Sequence, residues 1–169
     1  MAATSYARLL ATSKRTVLVD LDFREATLTR ALTPRASIGL WEHEVLGKGA
    51  GPEVWRDART GLDFIPARAT ATAKTQGGIE SEQLLQIVAN LMAKYDRVIV
   101  DLPPLAVAIE AGALQSLIGG YLFVAHWGVT RRKDVSRALA ESRLQEGKVA
   151  GAVLTNVDLR RLRQYEFSG

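Results

Sequence analysis

The chain has 169 residues, 47% of them hydrophobic and 24% charged, which is the composition of one globular domain with a hydrophobic core. The absence of cysteine excludes disulfides and cysteine-based metal sites and is typical of a reducing compartment such as the cytoplasm. The net charge is +4, and no apolar run approaches the roughly 20 residues that a membrane-spanning helix needs.

Apolar periodicity and turn residues predict strands that alternate with helices. The first predicted elements are a helix over 2–13, a strand over 16–21, two short helices within 25–47, a loop over 47–61, a strand over 62–67 and a loop over 68–78. A helix capped by Ser81 follows, with Leu84, Val88, Leu91 and Met92 on one side. The remaining elements are a strand over 97–105, a helix over 107–118, a strand over 120–127, a helix over 131–145, a strand within 148–158 and a basic tail. This order predicts a single α/β domain with a parallel sheet flanked by helices. The strand over 97–105 is expected to be buried on both faces, as parallel strands are.

Polar residues follow three of these strands. The residues that share this position are Asp20 and Asp22, then Asp101, then Thr155, Asn156 and Asp158. Because right-handed crossovers place the carboxyl ends of parallel strands at one edge, these side chains are expected to converge there.

The two acidic strand ends are alike, because in each an apolar triplet precedes an aspartate. In nucleotide hydrolases the strand that ends at Asp101 has the pattern called Walker B, whose carboxylate holds Mg²⁺ through water. A second carboxylate can complete the metal shell or take a proton from an attacking hydroxyl. The alternative is that Asp20, Asp22 and Asp101 only cap strand ends and accept bonds from nearby backbone N–H groups. Two such strands in one sheet favour the metal-binding interpretation.

Four segments resemble parts of the bacterial tyrosine kinases. VLVDLDFR (17–24) resembles their extra Walker motif, and YDRVIVDLPPL (95–105) resembles their Walker B strand. GYLFVAHWGVTRRKDV (120–135) and GAVLTNVDLRRLRQYE (151–166) are similar to their later strands and tail. More narrowly, the chain is similar to the cytoplasmic kinase-like domain of succinoglycan-type exopolysaccharide transport proteins, the polysaccharide co-polymerases.

The resemblance implies a deviant P-loop nucleotide hydrolase fold of the MinD and ParA type and a domain that uses ATP and Mg²⁺ to phosphorylate tyrosines in its own tail. It implies Mg²⁺ held through water by Asp20 and Asp101, with Asp22 assisting the metal or activating the tyrosine hydroxyl. It also implies that Tyr165 is the phosphoacceptor and that Arg24 pairs with phosphate or with a neighbouring subunit.

The nucleotide contacts at the last strand depart from the family pattern VLNKVD. Here the segment reads VLTNVD, so Thr155 takes the place of the asparagine that contacts adenine, and Asn156 follows it. Both are therefore candidate nucleotide-binding residues. A kinase-like domain over 1–158 and a basic tail over 159–169 complete the predicted organisation.

The phosphate-binding loop of the family, GxxxxGK[ST], does not occur in the 169 residues. Counting back from Asp20, residues 1–16 match the helix that follows this loop, so the loop and its strand are expected immediately before Met1. The segment GKGAG (47–51) has neither the spacing nor the hydroxyl after Lys48. We therefore expect a fragment of a longer protein, a sequence whose given start lies too late, or a kinase-like domain that does not turn over ATP. Little ATPase or kinase activity is expected from these residues alone, because phosphate positioning dominates phosphoryl-transfer catalysis.

Three functions remain open at this point. The first is a kinase-like regulatory domain of polysaccharide export at the inner face of a bacterial membrane, with a membrane-embedded co-polymerase region or transmembrane adaptor as partner and a homo-oligomer as its assembly. The second is a relative of the partition and septum-placement ATPases. The third is a non-catalytic module that docks to the export machinery. Nucleic acid is not expected as a partner, because no aromatic residues alternate with the arginines of the basic segments.

Overall fold

The structure is a computed structural model that describes residues 2–68, 79–105, 109–141 and 146–166, without the side chains of 109–110, 146 and 163–166. The chain divides into two compact units, Met1–Leu117 and Ile118–Gly169, and each is described by itself. The predicted loop over 68–78 lies outside the described residues from position 69 onward. The prediction of one domain over 1–158 with a tail over 159–169 stays a prediction.

The first unit is a sheet with helices between its strands, as the alternating pattern predicts. Its elements are α1 (Ala2–Ala11), β1 (Thr16–Asp20), α2 (Thr27–Leu32), α3 (Leu40–Glu44), β2 (Trp55–Arg56), β3 (Asp63–Ile65), α4 (Ser81–Met92), β4 (Arg97–Asp101) and α5 (Ile109–Ala113). The strand order is β2-β3-β1-β4, with β1 parallel to both β3 and β4. The parallel α/β architecture predicted from the sequence is confirmed in this unit.

The core of the first unit lies where α1 and α2 cover one face of this sheet. Its buried members are Ala7, Leu18, Leu28, Leu62 and Phe64. Strand β1 is buried at each of its five positions, because it pairs with a strand on either side. The apolar triplet before Asp20 is therefore the centre of the unit.

Strand β4 corrects one expectation. It was predicted to be buried on both faces, but Arg97 is exposed and the four residues that follow are only half-buried. The reason is topological, because among the described residues β4 is the last strand of its sheet and pairs only with β1. An apolar run alone does not distinguish a central strand from an edge strand.

Strand β2 is an element that the sequence did not predict. The stretch over 47–61 is rich in glycine and was expected to be a loop, yet Trp55 and Arg56 pair antiparallel with β3. The Arg56 guanidinium holds the pair together by donating to both carboxylate oxygens of Asp63, at 2.8 and 3.0 Å. Two residues are too few to give a periodic signal.

Helix α4 begins one residue earlier than its predicted cap implies. Ser81 is its first helical residue and Glu80 is the N-cap, whose N–H group donates to the Gln83 side chain at 3.3 Å. The predicted apolar side is confirmed at its buried residues Leu84, Val88 and Leu91. Met92, the last residue of the helix, is half exposed and does not belong to this apolar side.

The second unit is a parallel strand pair with two described helices. It comprises β5 (Tyr121–His126), α6 (Arg132–Glu141), a short 3-10 turn (Glu146–Lys148), β6 (Val149–Thr155) and α7 (Leu159–Glu166). The predicted basic tail is thus helical up to Glu166. Asp158 caps this helix, because its carboxylate accepts the N–H groups of Arg160 and Arg161 at 3.0 and 3.3 Å. None of the described helices is long and apolar enough to cross a bilayer.

Candidate functional site

The two acidic strand ends lie side by side in the sheet of the first unit. Asp20 and Asp101 are register partners on the parallel strands β1 and β4, whose backbones are about 4.8 Å apart. The N–H group of Leu21 continues the ladder by donating to the Asp101 carbonyl at 2.9 Å. Because register partners point to the same face, the structure brings these two carboxylates together.

Asp20 is fully buried and accepts three hydrogen bonds. One carboxylate oxygen, Oδ1, accepts the N–H group of Asp22 at 3.0 Å. The other, Oδ2, accepts the N–H group of Thr29 at 3.0 Å and its hydroxyl at 2.8 Å. Thr29 is the third residue of α2, so Asp20 caps this helix from a distance of nine residues.

Asp22 closes the turn that follows β1. It is buried, and its Oδ1 accepts the N–H groups of Arg24 at 3.2 Å and Glu25 at 3.0 Å. Its carbonyl accepts the N–H group of Ala26, which adopts a left-handed conformation with φ of 46°. The side chain of Arg24 is exposed. For Asp20 and Asp22, the capping role considered in the sequence analysis is therefore present.

Asp101 differs from the other two acids. Its side chain is half-buried, and no described residue donates a hydrogen bond to its carboxylate. Burial raises the pKa of Asp101 to about 6, and the negative charges of Asp20 and then Asp22 add to this effect. Burial also raises the pKa of Asp20, because desolvation outweighs the hydrogen bonds from Thr29 and Asp22. Carboxylates whose charged form is disfavoured by burial and like charge are typical of functional sites.

Thr29 is the residue at this site that the sequence analysis missed. It is buried, and its hydroxyl accepts the N–H group of Ala67 at 2.8 Å, just beyond the end of β3. It therefore joins β3 to the Asp20 carboxylate. A threonine in the first turn of a short helix carries no signal for this role in sequence alone, because its partner Ala67 is 38 residues away.

Thr155 and Asn156 lie at the end of β6 in the second unit. Asn156 has a left-handed backbone with φ of 55°, and its amide nitrogen lies 3.0 Å from Nε2 of His126. The Thr155 hydroxyl donates to the Ala125 carbonyl at 3.3 Å. Within this unit the ends of β5 and β6 therefore form one polar cluster. Its predicted convergence with the carboxylates of the first unit stays a prediction.

Tyr165 lies in the last turn of α7 as the structure describes it, and its side chain is outside the described atoms. Asp158, at the N-terminus of the same helix, pairs with Arg161 at 3.7 Å. The predicted phosphoacceptor is thus placed on a helix rather than on an irregular tail, and its role stays a prediction.

The chemistry of the first-unit carboxylates fits a hydrated Mg²⁺ ion better than a directly ligated one. The described residues contain no group of three or more acidic or histidine side chains arranged to hold a metal. Mg²⁺ keeps several waters and is bound through only one or two carboxylates, so such a cage is not needed. Asp101 has free acceptor capacity, and Asp20 has one acceptor position left on Oδ1.

Relatives of known function share this sequence over nearly its whole length, although no family model matches it. The succinoglycan biosynthesis transport protein ExoP of Rhizobium meliloti (strain 1021) is 35% identical over 172 residues, which cover 99% of this chain and 22% of ExoP. The tyrosine-protein kinase wzc of Salmonella typhi is 27% identical over 94% of this chain and 22% of its own length. The chain thus spans about a fifth of the length of these relatives.

Solved structures share the fold. The VpsO kinase domain superposes with a TM-score of 0.76 at 20% identity, covering 93% of this chain and 77% of its own. The kinase domain of the Escherichia coli tyrosine kinase ETK gives 0.76 at 22% identity, over 92% and 61%. MinD from Pyrococcus horikoshii OT3, solved with Mg-ADP, gives 0.63 at 16% identity, over 90% and 63%. The predicted resemblance to the bacterial tyrosine kinases and the predicted fold are therefore confirmed.

Proposed function

We propose that this chain is a kinase-like domain of exopolysaccharide biosynthesis and export, whose strand-end carboxylates hold Mg²⁺ with ATP. The observation that carries the proposal is Asp101. Its half-buried carboxylate has no hydrogen-bond donor among the described residues and lies beside the buried Asp20. Like charges at such a site are unfavourable unless a cation offsets them, and the relationship to ExoP and the tyrosine kinases makes Mg²⁺ the cation of choice.

The proposed roles follow from the donors that each carboxylate already has. Asp101 takes the Walker B position and holds the hydrated metal, because its oxygens are not engaged by described donors. Asp20 contributes the one acceptor position left on Oδ1, through water. Asp22 keeps Oδ2 for a further metal water or for the proton of an attacking tyrosine hydroxyl. When bound, Mg²⁺ would neutralise phosphate charge.

Four further residues complete the proposal. Arg24, exposed after the turn, would pair with phosphate or with a neighbouring subunit. Thr155 and Asn156 would contact the nucleotide, which requires the polar cluster of the second unit to face the carboxylates. Tyr165 would accept the phosphoryl group. The membrane region or adaptor of the export machinery, and further copies of the chain, are the proposed partners at the cytoplasmic face of the membrane.

The decisive experiment is isothermal titration with Mg²⁺·ADP of this chain and of the longest natural protein that contains it. We expect binding in the longer protein, loss of that binding in Asp101→Asn, and no change in the control Asp134→Asn, whose carboxylate is exposed on α6. Mass spectrometry after incubation with Mg²⁺·ATP then tests for phosphate on Tyr165, with Tyr165→Phe as the control. Binding that persists unchanged in Asp101→Asn would refute the assignment.

A non-catalytic docking module is the second candidate. It is favoured by the structural engagement of Asp20 and Asp22, which cap α2 and the turn after β1 whether or not a nucleotide binds. Absence of Mg²⁺·ADP binding in both proteins, together with capture of the export machinery, would select this function. The MinD-like fold is shared, but the sequence relatives reported above are an exopolysaccharide transport protein and a tyrosine kinase, which disfavours a septum-placement ATPase.

A further inference from the structure

We infer that Thr29 is a positioning residue for the Asp20 carboxylate and that its hydroxyl locks this carboxylate to the end of β3. The inference deepens the proposed metal site, on which its Mg²⁺ consequence rests. The geometry itself is independent of any ligand, because it consists of three hydrogen bonds between buried groups of the first unit.

The first step is the acceptor capacity of Asp20. An ionised carboxylate offers about four acceptor positions, two on each oxygen. The N–H and O–H groups of Thr29 occupy both positions on Oδ2, and the N–H group of Asp22 occupies one on Oδ1. One position on Oδ1 is left, and the two bonds from Thr29 fix the direction in which it points.

The second step is the orientation of the Thr29 hydroxyl. A hydroxyl has one proton to donate, and the backbone N–H group of Ala67 can only donate to it. The single hydroxyl proton is therefore directed to Asp20, at 2.8 Å. Thr29 is buried, and both hydrogen-bond partners of its hydroxyl are protein groups. The two hydrogen bonds, from Ala67 to Thr29 and from Thr29 to Asp20, are therefore donated in the same direction.

The third step is what this chain of bonds connects. Ala67 lies just beyond β3, the parallel neighbour of β1, and its carbonyl accepts the N–H group of Trp41 in α3 at 3.1 Å. Thr29 thus ties the Asp20 carboxylate to the end of a second strand and, through Ala67, to α3. A valine in its place would keep the shape and the backbone N–H bond but would leave the Ala67 N–H group unpaired and one acceptor position of Asp20 empty.

The experiment compares Thr29→Val with Thr29→Ser, which keeps the hydroxyl. Thr16→Val is the matched control, since Thr16 is an equally buried threonine at the opposite end of β1 whose hydroxyl donates to the Lys14 carbonyl at 2.9 Å. The measurements on the full 169-residue chain are the ¹³C shift of the Asp20 carboxyl at pH 8, the exchange rate of the Ala67 amide, and Mn²⁺ affinity by electron paramagnetic resonance.

We expect Thr29→Val to shift the Asp20 carboxyl signal and to speed exchange of the Ala67 amide by about tenfold or more, since a buried amide loses its acceptor. Thr29→Ser should restore both, and Thr16→Val should change neither. Mn²⁺ binding should weaken by about tenfold or more in Thr29→Val, as for other residues that orient a metal-binding carboxylate, and recover in Thr29→Ser.

An unchanged Asp20 signal and Ala67 exchange rate in Thr29→Val would overturn the inference, as would a serine that restores neither. If Thr29→Val does not fold, a measurement on the unaltered chain decides. We expect its Thr29 hydroxyl proton to exchange slowly and to show a nuclear Overhauser contact to the Ala67 amide. Absence of this signal would refute the hydrogen bond. The proposed metal site is decided by the Mg²⁺·ADP titration of the longer protein. If the unaltered 169-residue chain does not bind Mn²⁺, the carboxyl shift and the amide exchange alone decide the role of Thr29.

Discussion

Replacing Asp101 by asparagine is predicted to stabilise the folded chain at neutral pH. The asparagine keeps the shape of the side chain and removes a negative charge from beside Asp20, which lies opposite it on β1. The backbone carbonyl that accepts the Leu21 N–H group is unaffected. A substitution that removes a functional group and raises stability is the expected behaviour of a site selected for binding rather than for folding.

The magnitude follows from the pKa of Asp101, which is raised from 3.8 to about 6. At 1.36 kcal/mol for each pKa unit, keeping this group ionised in the folded state costs about 3 kcal/mol at pH 7. Because the side chain is half-buried and water reaches it, about 1–3 kcal/mol is the expected gain in Asp101→Asn.

The pH dependence of this gain in stability gives a second test. The folded state binds the Asp101 proton more tightly than the unfolded state, so the unaltered chain loses stability from this group as pH rises from about 4 to about 6. Urea denaturation of both proteins at pH 4, 6 and 8 measures the difference, with Glu82→Gln, an exposed carboxylate of α4, as control. A gain that is the same at pH 4 and pH 8, or a loss of stability at pH 8, would show that the charge argument is wrong.

Three further substitutions test the fold around the site by chemical denaturation. Leu18→Ala removes a fully buried side chain from the centre of β1 and should lower the free energy of unfolding by roughly 2–5 kcal/mol. A loss below about 1 kcal/mol would contradict the assigned core. Gly39→Ala should cost about 1–3 kcal/mol, because a Cβ there would lie 2.7 Å from the backbone oxygens of Pro66 and Ala67; a neutral effect would refute this close approach. Asp63 accepts hydrogen bonds from Arg56 and Tyr95, which lower the pKa of its carboxyl. Asp63→Asn should therefore be less stable than the unaltered chain at pH 7, and this difference should shrink as pH falls below about 4. A difference that does not depend on pH would exclude the ion pair as its cause.

Local sequence patterns determine much of the first unit. The apolar triplet before Asp20 and the apolar run before Asp101 predict two strands, and both are present as neighbours in register. The apolar side of α4 follows from period alone. These elements could be predicted because each has enough residues to repeat its pattern, and because parallel strands end at one edge by right-handed connection.

Other features could not be predicted, because they depend on partners distant in the chain. Strand β2 is two residues long and exists through its pairing with β3 and the bond from Arg56 to Asp63. The exposure of β4 depends on its place at the end of the sheet order, which an apolar run does not encode. The helix in place of the expected basic tail is a different case, because its capping residue Asp158 is local and was not read as a helix start in the sequence.

The sequence by itself determined which residues carry charge at the strand ends and, through its motifs, the relationship to the bacterial tyrosine kinases. Only the tertiary structure decided how the three carboxylates differ. Asp20 and Asp22 are held by donors, and Asp101 is left without one among the described residues. The reason is physical: a residue's identity gives its ordinary pKa and its hydrogen-bonding capacity, whereas burial, neighbouring charge and a donor such as Thr29 are supplied by residues that only folding brings close.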